Sequence, residues 1–198
     1  MAIIRANNNT LSSITALPTG IATGSMVKLF SQTGNTTGQS EYDIDSTYIN
    51  SSYDNYFVYF SCCPAGASNR NVRLRFFENG SIVDSTDYWY MNHQQNGTAT
   101  SDLGDASYID LTLNLNVLTG DGNGASGYFY LFNVNQTKDI THIQGATWCT
   151  PSANNNRGIN FGGGFDQQKN TSTINGIRIY QNAENILMRE FAIYGITR

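Results

Sequence analysis

From about residue 25 to the C-terminus, hydrophobic and polar positions alternate with a period of two, which places successive side chains on opposite faces of an extended strand. The clearest run is 109–117, IDLTLNLNV, where five aliphatics point one way and Asp110, Thr112, Asn114 and Asn116 the other. It predicts an antiparallel strand with one buried and one wet face. Val72, Leu74 and Phe76 alternate with Arg73, Arg75 and Phe77, and Ile177 and Ile179 with Arg178 and Tyr180, in the same manner. Four stretches, 56–60, 88–91, 128–132 and 191–194, are aromatic or β-branched at almost every position. They predict strands covered on both sides or packed at an interface.

Gly- and Asn-rich segments punctuate these runs every ten to twenty residues: Glu78-Asn79-Gly80-Ser81, Gly120-Asp121-Gly122-Asn123-Gly124 and Asn154-Asn155-Asn156-Arg157-Gly158. Such residues supply the positive φ angles of tight turns. Gly162-Gly163-Gly164 predicts a bend between strands ending near Phe161 and starting near Phe165, and 182–190 a turn between the last two strands. The pattern predicts nine or ten strands, which must stack or close to hide their edges. The expected fold is an all-β antiparallel sandwich of jelly-roll type over residues 25–198. Residues 1–24 differ: sparse aliphatics Ile3, Ile4, Leu11, Ile14, Leu17 and Ile21 lie among Asn, Ser and Thr. That segment cannot form a core alone, and the expectation is an extended N-terminal arm that docks on a partner.

Composition narrows the partners. Asn, Ser, Thr and Gly make up about four residues in ten and charged residues 13%, against roughly 25% in an average domain. Eleven basic and fifteen acidic side chains give a net charge of −4 without a Lys/Arg cluster, which argues against nucleic acid. No apolar run approaches the ~20 residues of a membrane-spanning helix. The first ten residues carry one Arg and an Asn run where a secretory signal would be apolar, so folding in a reducing cytoplasm is expected. Cys62, Cys63 and Cys149 are then expected to be reduced.

Candidate chemistry is sparse. His93 and His142 are the two histidines, and neither accompanies a nucleophile elbow, so a triad is not expected. Zinc spacing is missing, since Cys62 and Cys63 are adjacent. Asp43 with Asp45, Asp84 with Asp87, and Asp102 with Asp105 offer carboxylate pairs for glycoside hydrolysis only if one is buried. Asp121-Gly122-Asn123-Gly124 resembles part of a calcium loop, but Phe132 stands where the bidentate acid belongs. The sequence therefore assigns no catalytic residue, cofactor or metal. The surplus is aromatic: twelve Tyr, ten Phe and two Trp, with Tyr88-Trp89-Tyr90 placing rings on both faces of one strand. Outward rings of this kind meet a neighbouring subunit or a sugar.

The opening MAIIRANNNTLSSITALP, the central IDSTY followed by YDNY, and the closing INGIRIY with Tyr194-Gly195-Ile196 resemble virion proteins of tailed bacteriophages, particularly marine and cyanobacterial ones. Where such proteins often have Gly in the final turn, this chain has the longer Gln181-Asn182-Ala183-Glu184-Asn185. The resemblance implies a jelly-roll, non-enzymatic structural subunit: a capsid decoration or cement protein, or a head- or tail-fibre component, commonly trimeric and assembled in the host cytoplasm. On this reading Ile3, Ile4, Leu11, Ile14 and Leu17 anchor the arm on other virion proteins, and Tyr88, Trp89 and Tyr90 form subunit interfaces. The alternative is a lectin-like tail protein that recognises host surface glycans, with segments near His93 and Gly162 to Gly164 taking part.

Overall fold

The computed structural model describes residues 26–34, 37–66, 70–95, 100–113, 115, 117–119, 123–136, 139–152, 155–165, 173–182 and 184–197. The arm 1–24, with Ile3, Ile4, Leu11, Ile14 and Leu17, lies outside the described residues. Thirteen strands are described: β1 (Met26–Thr33), β2 (Glu41–Ile44), β3 (Asn55–Pro64), β4 (Val72–Glu78), β5 (Ser81–Ile82), β6 (Tyr88–Gln94), β7 (Thr100–Ala106), β8 (Ile109–Asp110), β9 (Ala125–Phe132), β10 (His142–Ser152), β11 (Asn155–Phe165), β12 (Ile174–Gln181) and β13 (Ile186–Ile196). No helix long and apolar enough to cross a membrane occurs among the described residues.

Every pairing is antiparallel. One sheet has eight strands in the order β1-β13-β3-β9-β10-β11-β6-β7, the other β2-β12-β4-β5 with β8 also on β4. The two sheets pack into a β-sandwich around one core in which side chains of both interleave. Period-two alternation does what it predicts in β4 and β12, where Val72, Leu74 and Phe76, and Ile177 and Ile179, point inward; in the more apolar β3 and β6 the inward set is Tyr56, Val58, Phe60 and Cys62, and Tyr88, Tyr90, Asn92 and Gln94. Rings bridge the layers, with Phe76 of β4 stacked on Tyr88 of β6 at 5.7 Å and Tyr42 of β2 against Phe191 of β13 at 5.1 Å. Asn79 and Gly80, at φ 47° and 79°, make the expected two-residue turn between β4 and β5.

Three local expectations are corrected. The run 109–117 is not one long strand: only Ile109 and Asp110 pair, with Leu74 and Arg73, and the chain then bends, with Leu113 at φ 54°. Asp110 and Thr112, expected on a wet face, are fully buried, because the interior supplies their partners. Asn71 Nδ2 and Thr112 N donate to the Asp110 carboxylate at 3.2 and 2.8 Å, and Thr112 Oγ1 accepts from Val72 N. Gly162 to Gly164 form no bend but run inside β11, whose ladder with β10 and β6 continues through them. The final turn is shorter than expected, because Ile186 and Met188 are buried and begin β13 opposite Pro64 and Cys62.

The three thiols are free and buried. Burial, reinforced by the nearby Asp110 carboxylate, pushes Cys149 up to about 12. Tyr42 and Tyr56 are likewise pushed up to about 12, chiefly by burial. Tyr42 donates to Gln32 Oε1, and Tyr56 donates to Asn50 O at 2.7 Å. Between pH 10 and 12 an unfolded tyrosine releases its proton while these two keep theirs, so the unfolded state binds fewer protons there. Stability is therefore full below pH 10 and falls as pH rises toward 12. Urea midpoints are expected to decline across that window, and a flat profile would show that neither phenol is held protonated by the fold.

Candidate functional site

The two outer faces of the sandwich differ. On the five-stranded sheet, guanidinium groups cap the rings: Arg73 sits 3.8 Å from the centre of Tyr108, Arg75 lies over Tyr180 and Arg178 over Phe77. Arg178 also grips Asp43 with two bonds of 2.7 Å, with Glu41 at 3.4 Å. Charge and ring are paired within that face. The eight-stranded sheet instead leaves Trp89 53%, Met91 62%, Tyr128 44% and Trp148 50% exposed on one surface. Large apolar side chains gathered in this way mark an interaction surface.

Strand register sets its layout, because directly paired residues share a face. One row crosses the sheet as Lys28, Tyr194, Phe57, Tyr130, Gln144, Gly162 and Met91. The adjacent row runs Tyr59, Tyr128, Ala146, Asn160 and His93. On the other side lie Phe132, His142, Gly164 and Trp89. From β13 to β9 the rings cover one another, Phe57 touching Tyr194, Tyr130 and Tyr128 at 6.1, 5.3 and 5.9 Å. At β11 the outward positions are Gly158, Asn160, Gly162 and Gly164, so side-chain height collapses along one strand. A trough of about 660 Å³ results, floored by Gly162 and walled by Tyr128, Gln144 and His142 on one side and Met91 and His93 on the other. Across Tyr128 a second hollow of about 280 Å³ is bordered by Tyr59, Gln95 and Trp148.

Among the described residues, no Asp, Glu, Lys or Arg lines either hollow. Polar groups of the lining are held in place. His142 stacks on Phe132 at 4.9 Å and its Nδ1 meets Ile140 O at 3.0 Å. A carbonyl only accepts, so Nδ1 carries the proton and Nε2 is the ring's acceptor in the neutral state. Gln95 Nε2 donates to Asn160 Oδ1 at 3.3 Å, tying the second hollow to the trough. At the border of the second hollow, burial and the neighbouring Glu190 carboxylate raise the Tyr59 phenol.

The chain matches no family model, no curated protein and no solved structure.

The sequence-predicted residues separate on this frame. Trp89 faces outward, but Tyr88 and Tyr90 are core residues, at 0% and 3% exposure, which removes them from the expected interface set because strand parity turns both rings inward. His93 and His142 share one trough. Their strands, β6 and β10, flank β11, and their β11 partners Asn160 and Gly164 are four residues apart, so the two Cα atoms lie about 16 Å from each other on strand spacings. They cannot pass a proton directly.

Among the described side chains, the carboxylates of these pairs do not assemble into a site. Asp43 is engaged by Arg178. Asp45 accepts from Thr47 N at 2.9 Å, a bond that holds its carboxyl below the usual range. Asp87 accepts from Ser85 Oγ at 2.5 Å. Asp105 is an exposed residue at φ 54° on the edge strand β7. Asp121 lies outside the described residues. No group of three metal-ligating side chains occurs among the described residues.

Sequence reasoning missed Met91, Gln144, Asn160 and Trp148 as companions on one surface. A local signal for the trough existed in the spacing Gly158-Ile159-Asn160-Phe161-Gly162-Gly163-Gly164-Phe165, where small or polar residues take one parity and Ile159, Phe161 and Phe165 the other. Reading the three glycines as a bend concealed it.

Proposed function

We propose that this chain is a non-enzymatic structural subunit of a tailed-bacteriophage particle, a capsid-decoration or fibre-type component that works in the virion and assembles as a trimer with other virion proteins. The observation that carries this reading is the exposed aromatic face of the eight-stranded sheet, a rigid surface on which a neighbouring subunit gains buried area without ordering a loop. The strand order supports a jelly-roll wrap. β1 and β3 belong to the eight-stranded sheet and β2 and β4 to the other, so that β1 to β4 alternate between the sheets. Jelly rolls serve both as capsid and as lectin domains. Residues 1–24 are proposed as the anchor to the particle.

Antibody raised against the chain is expected to decorate intact particles in immunogold electron microscopy. Label over the head supports a decoration or head-fibre role, and label on the tail a tail component. Particles without label, in a lysate where the same antibody detects the denatured protein, overturn the reading. A second reading, recognition of host surface glycans, is favoured by one observation: among the described residues the trough has no Asp, Glu, Lys or Arg yet is lined by amides and imidazoles between rings.

A further inference from the structure

Glycines in β11 differ in what the fold asks of them. A Cβ at Gly163 would lie 2.7 Å from Tyr90 Cβ and 2.8 Å from Trp89 O, and one at Gly164 3.0 Å from Thr141 O and 3.2 Å from His142 Cβ. Packing explains both. Gly162 is different: its Cβ would meet a single atom, Ile143 O, at 3.6 Å, an ordinary contact, and its φ lies outside the left-handed region. Glycine inside a strand weakens it, and a β-branched residue would strengthen it. Nothing in the fold requires glycine at 162; what it does is keep the trough floor bare.

The lining indicates what the floor is kept bare for. Ring faces of Tyr128 and Tyr130 and the Met91 thioether offer apolar contact, while Gln144, Asn160 and His93 offer hydrogen-bonding groups. Among the described residues no Asp, Glu, Lys or Arg lines either hollow, so neither a phosphate nor a uronate would find a lysine or arginine counter-charge there. Continuation past Tyr128 to the hollow beside Trp148 suits an extended ligand over a single small molecule. A molecule with apolar C–H faces, hydroxyl edges and no charge, repeated along a line, is a neutral oligosaccharide. Resting on the glycan-recognition reading above, we propose that the trough over Gly162 binds a neutral carbohydrate chain, with Tyr128 as the ring between two sugar positions and Gln144 as a hydrogen-bonding wall.

The full chain would be titrated calorimetrically with neutral hexasaccharides: an α-glucan, a β-glucan, a mannan and a galactan. Saturable binding of at least one is expected. Gly162→Val should then reduce affinity by more than about tenfold while the thermal midpoint stays level or rises. Gln144→Ala, an exposed change that leaves the core intact, should weaken binding several-fold and so tests the site independently of folding. Affinity within about twofold of wild type in both variants would overturn the trough as the site, although glycan recognition itself would stand. No binding to any of the four would overturn both. Light scattering of the same samples distinguishes the other occupant: an oligomer of the parent chain that falls apart in Gly162→Val would make the trough a contact between copies and overturn the proposal.

Discussion

Tyr88→Ala is expected to destabilise the domain by about 3–5 kcal/mol, the range for removing a fully buried ring. Tyr88 is completely enclosed, stacked on Phe76 at 5.7 Å and against Phe165 at 5.6 Å, so truncation opens a cavity between the two sheets. Its hydroxyl also joins them: it accepts from Phe76 N at 2.8 Å and donates to Val83 O at 2.9 Å. Tyr88→Phe keeps the ring but leaves a buried backbone N–H without that acceptor, and is expected to cost about 1–3 kcal/mol. Burial raises the phenol well above its ordinary range, consistent with a proton held between those partners. Trp89→Ala, one position along and half exposed, should change stability by less than about 1 kcal/mol. Urea denaturation of the three variants gives the ordering. A Tyr88→Ala loss as small as that of Trp89→Ala would mean that the two sheets are not held together here.

Asp110→Ala is the second large effect, about 3–5 kcal/mol, from loss of a buried carboxylate on which several donors converge. Asn71 Nδ2, Thr112 N and Thr112 Oγ1 all point at its oxygens, and Asn92 Nδ2 donates to its backbone carbonyl at 2.9 Å. Removing the side chain leaves buried donors around a gap. Asp110→Asn retains one acceptor for Thr112 but turns an amide N–H₂ toward Asn71, and should fall between wild type and alanine. Equilibrium unfolding by tryptophan fluorescence measures both. Stability of Asp110→Ala within about 0.5 kcal/mol of wild type is what an exposed strand residue would show, and it would overturn the buried network.

That contrast shows what alternation conveys and what it does not. By parity alone, Asp110 faces water, since Ile109 and Leu111 beside it are apolar. The segment is instead drawn across the sandwich, where Asn71 and Thr112 replace water as its partners. Equally, Tyr88-Trp89-Tyr90 shows in sequence that rings occupy both faces, but which face is the core depends on β4 supplying Phe76 and on Phe165 arriving from β11. The longest apolar runs were read correctly as strands, and four of them, in β3, β6, β9 and β13, belong to one sheet. The shortest strands, β5 and β8 with two residues each, are too brief to show a period.

What the sequence determined by itself was the all-β class, the in-and-out parity of β4 and β12 and the Asn79-Gly80 turn, because each follows from neighbouring residues and the two-residue repeat of an extended chain. What only the tertiary structure decided was which strands became neighbours. Pairing β11 between β10 and β6 joins segments more than sixty residues apart in the chain, as in the pair Asn160 and His93. It is that pairing, set by burial of the whole core and not by any local pattern, that puts both histidines, the outward rings and a glycine-floored strand on one surface.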